Sequence, residues 1–186
     1  FYAERDATIY ERFPERNTGI DQILELIKLS SASSDFSNTF NTRILIDFGS
    51  EINTLRSAVN NNSIPPIGNS AGSASVYLKM FAAESQDLLR SYSLEAYPVS
   101  ESWENGTGTF SDAPELRNGV SWYYRTGTAN ASYWNTGSAS SVGSDSATNI
   151  GGGTWITGST YEASQSFQNE VPDIRMDVTD IVKHWV

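Results

Sequence analysis

Three observations predict an all-β protein, an antiparallel β-sandwich closed by a short C-terminal helix. Five runs of apolar residues alternate with polar ones at a period of two, the pattern of half-buried strands. The stretches between them are rich in Gly, Asn, Ser and Pro, which suit tight turns better than the long crossovers of a parallel sheet. Of 186 residues, 56 are Ser, Thr or Asn while only 18% are charged, a composition fitted to outward strand faces and polar turns.

Taken in order, Ile20, Ile23, Leu24 and Ile27 stand at helical spacing, so 20–29 reads equally as helix or strand on local grounds. From Thr42 to Phe48, Ile44, Ile46 and Phe48 share one face and Arg43 and Asp47 the other, which predicts a strand with the isoleucines inward. Residues 60–73 form a loop, because the pair Pro65-Pro66 cannot enter a central strand. In 73–81, Ala74, Val76, Leu78 and Met80 point inward and Ser75, Tyr77 and Lys79 outward. Tyr92, Leu94 and Ala96 repeat the alternation, as do Val120, Trp122 and Tyr124. A second long loop covers 137–153, poor in apolar residues and rich in Gly and Ser. Ile174, Met176 and Val178 make a last strand; then Val178, Ile181, Val182 and Trp185 switch to a helical face, with Asp177 and Asp180 spaced like a capping box.

Composition also excludes. With no Cys, thiol chemistry, disulfides and cysteine zinc sites are absent; the one His is His184. A formal charge of −10 argues against nucleic acid, whose phosphates require clustered Lys and Arg. No run is apolar enough for membrane insertion, and the first residues do not form a signal peptide.

Read together, Asp6-Ala7-Thr8-Ile9-Tyr10, Asn17-Thr18-Gly19, Arg43 to Phe48, Ala74 to Leu78, Tyr97 to Gly106, Gly119 to Trp122 and Asp177 to Trp185 stand in the order and spacing of one family. The chain resembles DNRLRE-type domains, jelly-roll sandwiches related to carbohydrate-binding modules. The wording TIYERFPERNTGIDQILEL, GVSWYYR and SQSFQNEVPDIRMDVTDIV is further similar to structural proteins of tailed bacteriophages of marine and cyanobacterial hosts. The resemblance implies one jelly-roll domain over 1–186, a strand at 23–29, and a chain stopping short of the family's last strand. It also implies a virion location (fibre, baseplate, neck or capsid decoration), with other virion subunits as partners, and a host-surface glycan as the alternative ligand.

Trp103 and Trp122 match the family's recurrent tryptophans and read as core, as does Trp185 on its helical face. Tyr123, Tyr133, Trp134, Asn135, Trp155 and Tyr161 lie in or beside the second-half loops. A flat ring with an amide beside it suits the C–H face and hydroxyl fringe of a sugar, yet the same rings suit a subunit interface or a loop pinned to the sandwich. The carboxylate pairs Glu101/Glu104 and Asp112/Glu115 lie in Gly/Ser/Thr-rich turns, without the apolar pocket that glycoside hydrolysis requires, and no enzymatic activity is expected. No cofactor is expected beyond a structural Ca2+, with Asp6, Asp21, Asp173 and Asp177 as candidate ligands. His184 reads as a helix C-terminal cation.

Overall fold

The computed structural model describes residues 1–30, 39–83, 91–127, 132–134, 151–168 and 173–186. Among them are seven strands in small antiparallel sheets and two helices. No helix is long and apolar enough to cross a membrane. The residues gather into two compact units, each drawn from two stretches of chain: 1–48 with 99–155, and 49–98 with 156–186.

In the first unit, β1 (Arg5–Tyr10), β2 (Lys28–Ser30) and β3 (Thr39–Asp47) form a sheet in the order β1-β3-β2. β1 runs along β3 from Arg5 opposite Asp47 to Tyr10 opposite Thr42. Because alternate side chains share a face, Ala7 and Ile9 lie on the side of Leu45 and Arg43. That is the core face: Ala7, Ile9 and Leu45 pack with Trp103, Val120, Trp122 and Trp134. The expected facing of β3 is therefore reversed. Ile44 and Ile46 stand half-buried on the opposite side, across from Thr8 and Asp6. Ile44, Leu45 and Ile46 are contiguous, so alternation alone gives either face an apolar claim. What decides is Arg43, whose charge the core accepts between two indole rings.

The segment expected as a strand at 23–29 is irregular up to Ile27, and only Lys28–Ser30 pairs with β3. It is not a helix either, despite its spacing. Its polar groups are committed elsewhere: the Glu25 N–H donates to Thr8 Oγ1 at 3.0 Å, the Ile27 N–H to Thr42 Oγ1 at 2.7 Å, and Thr42 Oγ1 to the Glu25 carbonyl at 2.8 Å. Side-chain bonds of this kind offer the backbone an alternative to a ladder. Val120 to Tyr124 likewise alternates without forming a strand. Val120, Ser121, Trp122 and Tyr124 are all buried, and only Tyr124 makes a bridge, to Tyr133.

The loops of this unit converge on one buried amide. Asn17 Nδ2 donates to the carbonyls of Asn105 at 2.7 Å and Val120 at 2.9 Å, and its Oδ1 accepts from Gly108 N–H at 2.8 Å and Gly19 N–H at 3.4 Å. Gly106 and Gly119 pack backbone to backbone around it: a Cβ on Gly119 would sit 2.4 Å from the Gly106 Cα, and Gly106 has φ of 76°. Asn17-Thr18-Gly19, Asn105-Gly106-Thr107-Gly108 and Asn118-Gly119 are thus one construction read in three places.

The second unit holds α1 (Gly49–Asn60), β4 (Tyr77–Met80) paired with β7 (Ile174–Asp177), β5 (Tyr92–Ala96) paired with β6 (Ala163–Phe167), and α2 (Thr179–Trp185). Alternation in β4, β5 and β7 matches the expected faces. α1 was not foreseen. Its signal is Ile52, Leu55 and Val59 at spacings of three and four, all of which pack toward Ile67 and Val182. It closes on a two-bond stop, Asn62 N–H to Val59 O and Ser63 N–H to Ala58 O, with Asn62 at φ 58° in the left-handed region that Asn tolerates. The expected 60–73 loop begins one residue late, Asn60 being the last residue of α1, and 61–73 is irregular as expected, save a bridge from Ile67 to Ala74. Of the expected 137–153 loop, 137–150 lie outside the described residues. The C-terminal helix is present, with Val178, Ile181, Val182 and Trp185 on its packed face; Ile181 joins Ala163 and Met176 while Val182 joins Leu55 and Ile67. The expected capping box is absent. Asp177 Oδ1 accepts the Thr179 N–H at 3.0 Å, and Asp180 Oδ1 instead takes Asn69 Nδ2 at 3.1 Å.

Candidate functional site

In the first unit, residues 20–27 fold inside out. The Ile20 N–H donates to the Gly108 carbonyl at 3.1 Å, both Asp21 carboxylate oxygens take the Phe110 N–H at 3.1 Å, and Glu25 Oε2 takes the Tyr10 hydroxyl at 2.6 Å. With polar groups anchoring the segment, its apolar side chains are left outside: Ile20, Ile23, Leu26 and Ile27 are 55, 57, 46 and 37% exposed. Phe110 adds an exposed ring, packed on Tyr10 at 4.9 Å between ring centres. Scattered exposed aliphatics are ordinary, but four in eight residues form a ridge.

The charges beside the ridge are mostly acidic. Burial first, then the neighbouring charges of Glu25 and Asp112, hold the Asp21 carboxyl above the usual carboxylate range, against the lowering pull of the Phe110 N–H. Burial and the bond to Glu25 likewise push the Tyr10 hydroxyl up. A carboxyl raised in the fold favours the folded state at low pH, and that contribution is lost as pH rises through the raised value. Arg16 lies over the Phe110 ring at 4.8 Å and is 3.4 Å from Glu115.

The rings predicted for ligand binding divide. Tyr123, Tyr133 and Trp134 come together around Tyr124. The Trp134 indole is 1% exposed, donates from Nε1 to the Ser121 carbonyl at 3.0 Å and belongs to the core. Tyr123 packs against that core with its N–H on the Pro14 carbonyl. Tyr133 is 50% exposed, with its ring 4.7 Å from that of Tyr124. The hydrogen bond to Tyr133, then burial, pushes the Tyr124 hydroxyl up to about 12. Asn135 lies outside the described residues. Tyr161 belongs to the second unit, edge-on at 4.8 Å to His184, which stands with Lys183 in the last turn of α2 as expected. Trp103 and Trp122 are buried in the first core, and Trp185 packs half-buried in the second unit.

Trp155 is buried too, and its face is taken by Arg43. The guanidinium stands 4.4 Å from the Trp155 ring and 4.8 Å from that of Trp122, and Nη1 donates to the Gly152 carbonyl. Burial lowers the Arg43 pKa to about 10, with Glu11 opposing. The arginine thus fastens the 151–155 strip, whose three glycines all have positive φ, onto β3. Arg43→Ala should cost about 2–4 kcal/mol, from two partly desolvated cation–π contacts and the packing of the stem. Arg43→Met, which keeps the stem, should cost less than half of that. Urea unfolding followed by Trp fluorescence tests this, since four of the five tryptophans lie in the first unit; equal losses in the two variants would refute the share given to the stem and leave the whole effect to the guanidinium.

Three of the four paired carboxylates contact other parts of the scaffold. Glu115 is held below the usual range chiefly by its bond to Arg117. Asp112 Oδ2 takes the Thr109 N–H at 2.7 Å, and Glu101 stands 3.8 Å from Arg125. Of the calcium candidates, Asp6 is raised by burial, Asp21 binds Phe110, Asp173 accepts from the Ala82 N–H and Asp177 from that of Thr179. Among the described residues, no three His, Cys, Asp or Glu side chains are grouped to hold a metal ion. In the second unit, a cleft of about 310 Å³ is lined by Asn69, Glu162, Ser164, Asp177, Asp180 and Ile181 among others.

No family model, curated protein or solved structure matches the chain.

Proposed function

We propose that the chain is a non-catalytic structural component of a tailed-phage particle, a sandwich-type β-protein that holds its place by burying surface against neighbouring subunits. The observation that carries the reading is the ridge at 20–27, where the fold fixes polar groups inward and leaves Ile20, Ile23, Leu26 and Ile27 in water. Covering apolar surface of this kind is the dominant favourable term in protein association. The resemblance of the TIYERFPERNTGIDQILEL wording to phage structural proteins supplies the particle. An antibody raised against the folded chain should label purified tailed particles by electron microscopy, at one repeated position on fibre, baseplate, neck or capsid. A protein recovered wholly in the particle-free fraction would overturn the assignment.

Glycan binding by an adhesion module is the second reading. The half-exposed Tyr133 beside Tyr124 supports it. It draws less from the sequence-predicted rings than it needs, because Trp134 and Trp155 turn their faces to the interior.

A further inference from the structure

We infer that the 20–27 ridge receives a cationic amphipathic segment of another protein, apolar side chains meeting Ile20, Ile23, Leu26 and Phe110 while Lys or Arg meets Asp21, Glu25 and Asp112. This deepens the structural reading by naming the partner's chemistry.

Two features argue for a partner of that kind. The first is the conformation of the segment: its backbone and carboxylates bond inward while Ile20, Ile23, Leu26 and Ile27 stay exposed, so these four side chains contribute little to holding the unit together. They are placed as an outward surface. β2, which continues the ridge, is also an edge strand among the described residues, and an extended segment adds readily beside an edge.

The second is charge. Glu25 and Asp112 are close enough to Asp21 for their charges to raise its proton affinity, and the whole chain carries −10. The cations nearby are already engaged or lie at the end of the ridge: Arg16 with Glu115 and the rings of Phe13 and Phe110, and Lys28 at the start of β2. A second copy of the chain, docked through a two-fold axis, would set the same carboxylates against their own images. Like charges across an interface are disfavoured, whereas Lys or Arg there would relieve the crowding.

The test is calorimetric titration of the full chain with a peptide of about eight residues alternating Leu and Lys, the span of the ridge, against one alternating Leu and Glu. The Leu/Lys peptide should bind and the Leu/Glu peptide should not. The double variant Ile23→Ser with Leu26→Ser changes exposed side chains only, and should weaken binding about tenfold. Asp21→Asn, which retains an acceptor for the Phe110 N–H, should weaken it severalfold, whereas Glu104→Gln, an exposed acid elsewhere in the unit, should leave it unchanged. Equal binding of both peptides, equal losses from Asp21→Asn and Glu104→Gln, or undiminished binding to the serine variant would each overturn the proposal. So would self-association abolished by the serine variant. Failure here with particles still labelled would remove the partner and leave the structural assignment standing; binding without labelling would do the reverse.

Discussion

Asn17→Asp should unfold the first unit at much lower urea than the parent chain, although the substitution leaves the side-chain shape nearly unchanged. The Asn17 amide uses both donor hydrogens on the Asn105 and Val120 carbonyls and its oxygen on Gly108 and Gly19. An aspartate keeps the acceptor and replaces the donor with a second oxygen, facing two carbonyls in a fully buried place. Each unsatisfied buried group costs about 1–3 kcal/mol, and an uncompensated charge adds more. Asn17→Ala should therefore cost about 4 kcal/mol and Asn17→Asp at least as much, read by Trp fluorescence in urea. Gly119→Ala should be comparably severe, because its Cβ would meet backbone atoms at 2.4–2.5 Å that no rotamer change can move. Gly72→Ala, whose Cβ would meet open space, should cost only about 1 kcal/mol for its positive φ. An Asn17→Asp chain as stable as the parent would show that the amide does not hold these loops.

Trp134→Ala should lower the stability of the same unit by about 3–5 kcal/mol, the usual range for emptying a buried tryptophan site. It would also leave the Ser121 carbonyl without its indole donor. Tyr133→Ala, one residue away and half exposed, should cost about 1 kcal/mol or less. The contrast separates folding from recognition. If the adhesion reading holds, Tyr133→Ala abolishes sugar binding in a chain that still melts normally, whereas loss of binding in Trp134→Ala reports unfolding. A stable Trp134→Ala protein would refute the core assignment.

Where one physical effect dominates, the sequence was legible. β4, β5 and β7 each have one apolar face, and the period of two placed them; the face of α2 needed only Val178, Ile181, Val182 and Trp185. β3 was misread because Ile44, Leu45 and Ile46 give both faces apolar residues, and the deciding group is a charged one that sequence reasoning sends outward. The ridge was misread for the opposite reason. Its apolar spacing suggested burial, while the partners that fix it, Thr8, Tyr10, Thr42 and Phe110, are distant in the chain. For Trp134 and Trp155 the loop context left a sugar face, a subunit interface and a pinned loop open; their burial fits the pinned loop, since loops held by a buried amide and an arginine can carry core residues. α1 was legible in Ile52, Leu55 and Val59 and was passed over because the surrounding composition favoured strands.

The order in which the chain is threaded through its two units has a consequence for synthesis. Ala7, Ile9 and Leu45 leave the ribosome long before Trp103, Val120, Trp122 and Trp134, with which they pack. At ordinary elongation rates, the roughly 90 residues between Leu45 and Trp134 take about 5–20 s to make. During that interval the residues of the second unit's first stretch, 49–98, also emerge without β6, β7 and α2. The apolar residues of 1–48 therefore wait in water for 99–155, and those of 49–98 wait longer, for 156–186.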